Sequence, residues 1–205
     1  MAEGSTGERK GERTRARIVA AAAPVFNRLG YSGTSMSELM SATGLEKGGL
    51  YRHFASKDAL ALAAFDHAVA TYARKYQAAV ASGTSTVAQL AALASAMADS
   101  AAAPLIDGGC PLLNTAVESD DGHPELRDRA RRAMRALLGL VRRLYENGVA
   151  RGELGPDVAP ADEAAHLVAS MEGAIMLARL FDDPGYARRA ADAVARRAES
   201  LARPR

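Results

Sequence analysis

The chain has 205 residues, enough for one or two small domains, and 48% of them are hydrophobic, which is ample for a buried core. No apolar stretch approaches the roughly 18 to 20 residues that cross a bilayer, and the charged, glycine-rich start has no apolar signal core, so a cytoplasmic protein without membrane contact is expected. A single cysteine, Cys110, excludes an internal disulfide framework and paired-cysteine zinc sites, and a net charge of +2 is too small by itself to indicate nucleic acid.

The charge is unevenly spread. Residues 1–57 hold nine Lys and Arg against five Asp and Glu, so the remainder is net −2. Alanine-rich runs at Ala20–Ala23 and Ala91–Ala98, few aromatics and no alternating Val/Ile/Thr pattern predict an all-α fold. Arg9, Lys10, Arg13, Arg15 and Arg17 gather ahead of the first helical segment as a basic arm suited to phosphates or a narrow minor groove, with Arg13 and Arg17 as its contact residues. For residues 1–9 the alternative is a solvated, disordered tail. Pro24 lies within the first helix, Ile18–Gly30, and removes an N–H, which predicts a bend there.

Ser35-Met36-Ser37-Glu38 is a capping box, so a short helix starts near Met36, and Gly44 supplies the left-handed residue that ends it near Thr43. Lys47–Phe54 then set Leu50 and Phe54 four apart on a buried stripe, leaving Lys47, Gly48, Gly49, Tyr51, Arg52 and His53 on or near an outer basic face. A capped helix, a glycine turn and a second short helix with cations and aromatics form the pattern of a helix-turn-helix reader of DNA.

From Arg13 to Leu62 the chain resembles the DNA-binding domain of the TetR/AcrR family of bacterial transcriptional regulators. The matching elements are Ile18–Gly30 with Phe26 and Gly30-Tyr31, the Gly33-Thr34-Ser35 lead, Lys47-Gly48-x-Leu50-Tyr51-x-His53-Phe54, and Ser56-Lys57-x-x-Leu60. The family usually carries Ser or Thr where this chain has Glu46 and Gly49. The resemblance implies that Lys47, Gly48, Gly49 and Arg52 face bases or the nearest backbone, and that Tyr51, His53 and Lys57 clamp phosphates, assisted by Thr34 and Ser35. Arg52 is the leading base reader, because a guanidinium can pair in a fork with guanine; a phosphate contact or a free surface cation is the alternative.

Ser56 caps a long amphipathic helix, residues 57–81, with Leu60, Leu62, Phe65, Val69, Tyr72 and Tyr76 inward. A further helix spans Val87–Ala102, and Cys110 precedes a short helix opened by Pro111 and running to about Ser119. An Asp120-Asp121-Gly122-His123-Pro124 turn leads to a helix over Glu125–Asn147, and two final helices span about 161–181 and 184–201. About nine helices result, divided as a helix-turn-helix domain with a flexible arm (1–57) and a helical effector-binding and dimerisation domain (58–205).

The penultimate helix is apolar around nearly its whole circumference, so it must be covered on two sides. With the last helix it predicts a homodimer interface through Leu167, Met171, Gly173, Ala174, Leu177, Tyr186, Ala190 and Val194, or else complete burial inside a monomer. A homodimer would place two recognition helices to read an inverted-repeat operator in double-stranded DNA. Met97, Leu105, Leu113, Val117, Met134, Leu138, Val141, Met171 and Ile175 could line an apolar cavity or form ordinary core. The resemblance implies a small-molecule effector there.

Cys110, Asn114 and Glu118, spaced four apart, share one helical face that could bind a polar effector group. In a few family members a cysteine near this helix senses electrophiles; a small buried thiol, with Asn114 serving the loop backbone, is the alternative. An enzyme using Cys110 with His123 or His166 lacks a general-base spacing, a phosphate loop or paired carboxylates. A transcriptional regulator is therefore expected, a repressor released by its effector, without catalytic residues, cofactor or metal; a helical DNA-binding protein without effector response is the other reading.

Overall fold

The computed structural model describes residues 4–119 and 122–203, with side chains from Lys10 onward; the first three residues, the Arg9 side chain and the Asp120-Asp121 step of the expected turn lie outside the described residues. Those residues form nine α-helices: α1 (Gly4–Gly33), α2 (Met36–Thr43), α3 (Lys47–Tyr51), α4 (Lys57–Ser82), α5 (Thr86–Ala102), α6 (Pro111–Glu118), α7 (Pro124–Ala150), α8 (Pro160–Leu180) and α9 (Gly185–Ser200). The only β-type pairing among them is an isolated bridge between Leu154 and Ala202.

Two compact units arise. The first combines the chain up to Ala70 with Ile106–Arg129; the second combines Thr71–Leu105 with Ala130–Arg205. The first unit is built on α1, whose buried stripe Ile18, Val19, Ala22 and Ala23 joins Leu39, Leu50, Phe54 and Leu60 in one core. Helix α1 begins well ahead of Ile18, so Arg13, Arg15 and Arg17 sit on a helix rather than on a flexible arm. Its dihedral break falls at Gly30 (φ 74°, ψ 171°) and not at Pro24, which keeps helical angles. Proline costs a helix one hydrogen bond, whereas a left-handed residue redirects the chain.

The break frees backbone groups that helix α6 then satisfies. In an unbroken helix the Tyr31 N–H would bond the Asn27 carbonyl. Here Tyr31 N donates to Glu118 Oε2 (2.8 Å) and Ser32 N to Glu118 Oε1 (2.9 Å). The Asn27 carbonyl accepts instead from Asn114 Nδ2 (3.1 Å). Asn114 Nδ2 also donates to the Gly108 carbonyl (2.7 Å), and Asn27 Nδ2 donates to the carbonyls of Asp107 (2.9 Å) and Gly109 (3.0 Å). The Tyr31 and Ser32 bonds to Glu118 lie at the exposed surface, where water can take over either group, whereas the Asn114 bonds to the carbonyls of Asn27 and Gly108 are part-buried; the α1–α6 join is thus held by polar matching as well as by packing.

The second unit packs α5 against α8 and α9, with Leu90, Leu93, Met97, Val141, Tyr145, Leu154, Leu167 and Met171 at its centre. Burial pushes the Tyr145 hydroxyl up to about 12. Helix α5 is doubly capped: Ser85 Oγ accepts from Ala88 N (3.2 Å), and Glu153 accepts from Thr86 N (2.5 Å). The Thr86 amide holds the Glu153 carboxyl below its ordinary value, as the Ser35 amide does for Glu38 at the start of α2.

Two outcomes follow from these joins. A group whose folded pKa is depressed adds stability that is complete above its unfolded value, here 4.5, and is lost as pH falls through the folded value. The melting temperature should therefore drop on acidification below about pH 4.5, and a Glu38→Gln, Glu153→Gln double variant should lose part of that dependence. Gly30→Ala would force a left-handed alanine whose Cβ lies 2.6 Å from the Glu118 carboxylate. Urea unfolding should show a loss of about 1–2 kcal/mol, the usual cost of left-handed backbone at a non-glycine residue.

Candidate functional site

The capping box expected at Ser35 is present: Glu38 N donates to Ser35 Oγ (3.2 Å) and Ser35 N donates to Glu38 Oε2 (2.6 Å). Gly44 adopts the left-handed conformation (φ 66°, ψ 22°) and returns its N–H to the Met40 carbonyl at 2.9 Å. Glu46 gives α3 no side-chain cap. The helical turn nevertheless runs on past Tyr51, because His53 N and Phe54 N both donate to the Leu50 carbonyl at 3.0 Å.

With Leu50 and Phe54 buried, the outer face of α3 is Lys47, Gly48, Tyr51 and Arg52, with Tyr51 44% exposed. A Cβ at Gly48 would meet nothing within 4 Å, so another backbone can approach closely there. Gly49 is different: its Cβ direction points at Leu45, 3.5 Å away, which turns it partly inward. His53 is half-buried at the end of the turn. The side chains of Lys47 and Arg52 make no hydrogen bond or ion pair among the described residues, nor do those of the exposed Arg13 and Arg17, four apart on α1. Arg15, between them in sequence, lies over the Phe54 ring at 4.4 Å and so sets the basic turn of α1 beside the end of α3.

Two residues expected at DNA are engaged elsewhere. Thr34 is only 2% exposed, and its hydroxyl donates to the Gly30 carbonyl (2.6 Å), closing the turn before α2. Lys57 is half-buried; its Nζ donates to the Tyr31 carbonyl (2.6 Å) and lies 4.4 Å above the Tyr31 ring. The Tyr31 hydroxyl in turn donates to Asp58, which pushes its pKa up to about 12, and its ring meets His123 edge-on at 4.6 Å. The role of Tyr31 carries no local sequence signal, since its partners Lys57, Asp58, Glu118 and His123 are all remote in the chain.

The residues expected to line an effector cavity separate. Met97, Val141, Met171 and Ile175 are buried in the second unit, with Met134 and Leu138 half-buried. Leu105 and Val117 are 48% and 73% exposed. Asn114 serves the loop carbonyl of Gly108, its alternative reading, and also bonds Asn27 on α1; Glu118 accepts from the Tyr31 and Ser32 amides, and Cys110 and Leu113 are half-buried on the same short segment. A small open cleft of about 30 Å³ lies within the first unit between α1, α4 and α6, floored by Ala23, Ala61, Ala64 and Ala68.

Of the residues expected at a dimer interface, Leu167, Met171, Ala174 and Val194 are buried within the single chain, while Gly173, Leu177, Tyr186 and Ala190 are half-buried. The outward apolar face is instead Met176, Leu180 and Phe181, 50%, 70% and 58% exposed, with Phe181 stacked on Tyr186. Gly173, Met176, Leu177 and Leu180 recur at helical spacing, a stripe hidden in the sequence because the whole helix is apolar. No described helix is long and apolar enough to cross a membrane.

Residues 18–64 match the family model for bacterial regulatory proteins of the tetR family, and residues 86–194 match that for a tetracyclin repressor-like C-terminal domain. A TetR transcriptional regulator from Chloroflexus aurantiacus J-10-FL is 43% identical, with a TM-score of 0.91 over 96% of this chain and 100% of that one. A TetR-family regulator from Cytophaga hutchinsonii is 32% identical, with a TM-score of 0.88 over 96% and 98% of the two chains. The A-factor receptor protein of Streptomyces griseus is 46% identical over 54 residues, 26% of this chain, so the chain spans about a fifth (20%) of that curated relative. On both family models and on full-length structural likeness at these identities, the chain belongs to the TetR family of bacterial regulatory proteins and is a transcriptional regulator.

Proposed function

We propose that the protein is a homodimeric, cytoplasmic repressor that reads an inverted-repeat operator in duplex DNA and is released from it by a small-molecule effector. The observation that carries the DNA reading is the set of exposed cations without an internal partner among the described residues, Arg13, Arg17, Lys47 and Arg52, around the open backbone at Gly48. Cations that make no bond within the fold are available to neutralise phosphates, which supplies most of the affinity of such proteins and its salt dependence.

In this reading Arg52 specifies a base from the major groove, while Tyr51, His53 and the Arg13–Arg17 face of α1 hold phosphates. Ser35 and Lys57 contribute from the edges, and Thr34 acts through the turn it closes. The exposed Met176–Leu180–Phe181 face supports dimerisation, because a large apolar surface on a soluble chain marks an interaction site. A relative named as the receptor of A-factor supports a response to a ligand, and the buried methionines of the second unit offer adaptable walls for one.

Arg52→Ala should lower discrimination at one base pair of a genomically selected operator by about 1–3 kcal/mol, while Tyr51→Ala should weaken all sequences alike and reduce the salt slope by about 1. Gel-shift titrations over a salt series separate the two; unchanged binding of both variants would overturn the docking. Met176→Glu with Leu180→Glu should give a monomer in sedimentation analysis and weaken operator binding more than tenfold. A variant that stays dimeric would exclude this face.

A further inference from the structure

The α2–α3 reading head is a loop of chain, and both of its ends meet at one residue. Tyr31 stands just before it; Lys57 and Asp58 stand just after it. Lys57 Nζ donates to the Tyr31 carbonyl at 2.6 Å and covers its ring, and the Tyr31 hydroxyl donates to Asp58. Within the loop, Thr34 Oγ1 returns to the Gly30 carbonyl at 2.6 Å and the capping box fixes Ser35. Side chains therefore answer the carbonyls of Gly30 and Tyr31 and the amides of Tyr31, Ser32 and Ser35.

The remaining freedom is rotation about the break at Gly30, where no helical bond holds Tyr31 to α1. That freedom is removed from outside the reading head. The last residue of α6, Glu118, takes the amides of both Tyr31 and Ser32, one on each carboxylate oxygen, at 2.8 and 2.9 Å. A two-point contact fixes direction as well as distance, and hydrogen bonds to a carboxylate are about twice as strong as neutral ones. The space is matched: a Cβ at Gly30 would stand 2.6 Å from the same carboxylate.

We propose that Tyr31 is the clasp of the reading head and that Glu118 is the positioning residue that sets its angle on α1, so that both govern operator affinity without touching DNA. The inference rests on the regulatory reading above and reassigns Lys57 from phosphate clamp to partner in the clasp. Its physical content is a population: loosening the clasp leaves α3 able to dock but less often in the competent orientation, and apparent affinity falls by that fraction.

The test uses the full-length protein and an operator fragment selected from genomic DNA. Glu118→Ala should bind that fragment about tenfold more weakly at unchanged melting temperature and dimer content, with faster hydrogen exchange at the Tyr31 and Ser32 amides. Glu118→Gln keeps one acceptor oxygen and should fall between Glu118→Ala and the unaltered protein, the partial rescue that a merely space-filling residue would not show. Tyr31→Phe, which keeps the ring and loses only the bond to Asp58, should weaken binding about threefold and stands in if Glu118→Ala fails to fold. Affinity within twofold of the unaltered protein in Glu118→Ala and Tyr31→Phe, or unchanged exchange at both amides, would overturn the proposal. If the unaltered protein selects no DNA, the regulatory reading fails instead, and the amide exchange still decides whether the clasp exists.

Discussion

The constraint on which the DNA-binding unit depends is the break in α1 at Gly30 and the need to satisfy what it exposes. A helix that ends in the open can leave its last groups to water. This one leads directly into a short helix pair only eight and five residues long, too small to hold an orientation by their own packing. The carbonyl of Asn27 goes to Asn114, the amides of Tyr31 and Ser32 go to Glu118, and the carbonyl of Tyr31 goes to Lys57. Three side chains far along the chain thus decide where α3 points.

This arrangement explains why α6 belongs to the first unit even though 35 residues of the second, Thr71–Leu105, precede it in sequence. A helix of eight residues opened by Pro111 has little stability alone. It is ordered by what it serves. Asn114 and Glu118, four apart, point the same way because helical periodicity brings them onto one face, and that face meets α1.

The parts of the fold that were legible in the sequence are those set by neighbours a few residues away. The Ser35 capping box, the left-handed Gly44, the Pro111 start of α6 and the Ser56 cap of α4 rest on local hydrogen bonds or fixed dihedrals, and the structure has all four. The parts that were not legible depend on burial or, for most, on partners more than 20 residues distant. Asn114 and Glu118 share the expected face, and Asn114 serves the loop carbonyl of Gly108 as its alternative reading had it, but their bonds to α1 carried no sequence signal. Thr34 and Lys57 carried a family pattern that a sequence shows only as residue type, while burial and the Gly30 and Tyr31 carbonyls decide what they do here. Along α8 an unbroken apolar circumference gave no way to tell the core face, Leu167, Met171 and Ala174, from the outward stripe of Met176 and Leu180.

An exposed apolar stripe and a basic reading head on one chain suit a protein that acts in pairs, since a single five-residue helix with a glycine at its second position reads few bases. Two copies double the contacts and add the spacing between half-sites as a specificity term. The most direct test is a nuclease footprint on a genomically selected fragment. Two protected half-sites in inverted orientation, their centres one helical turn (about 34–36 Å) or a multiple apart, are predicted. A single unrepeated site occupied by one chain would contradict the account.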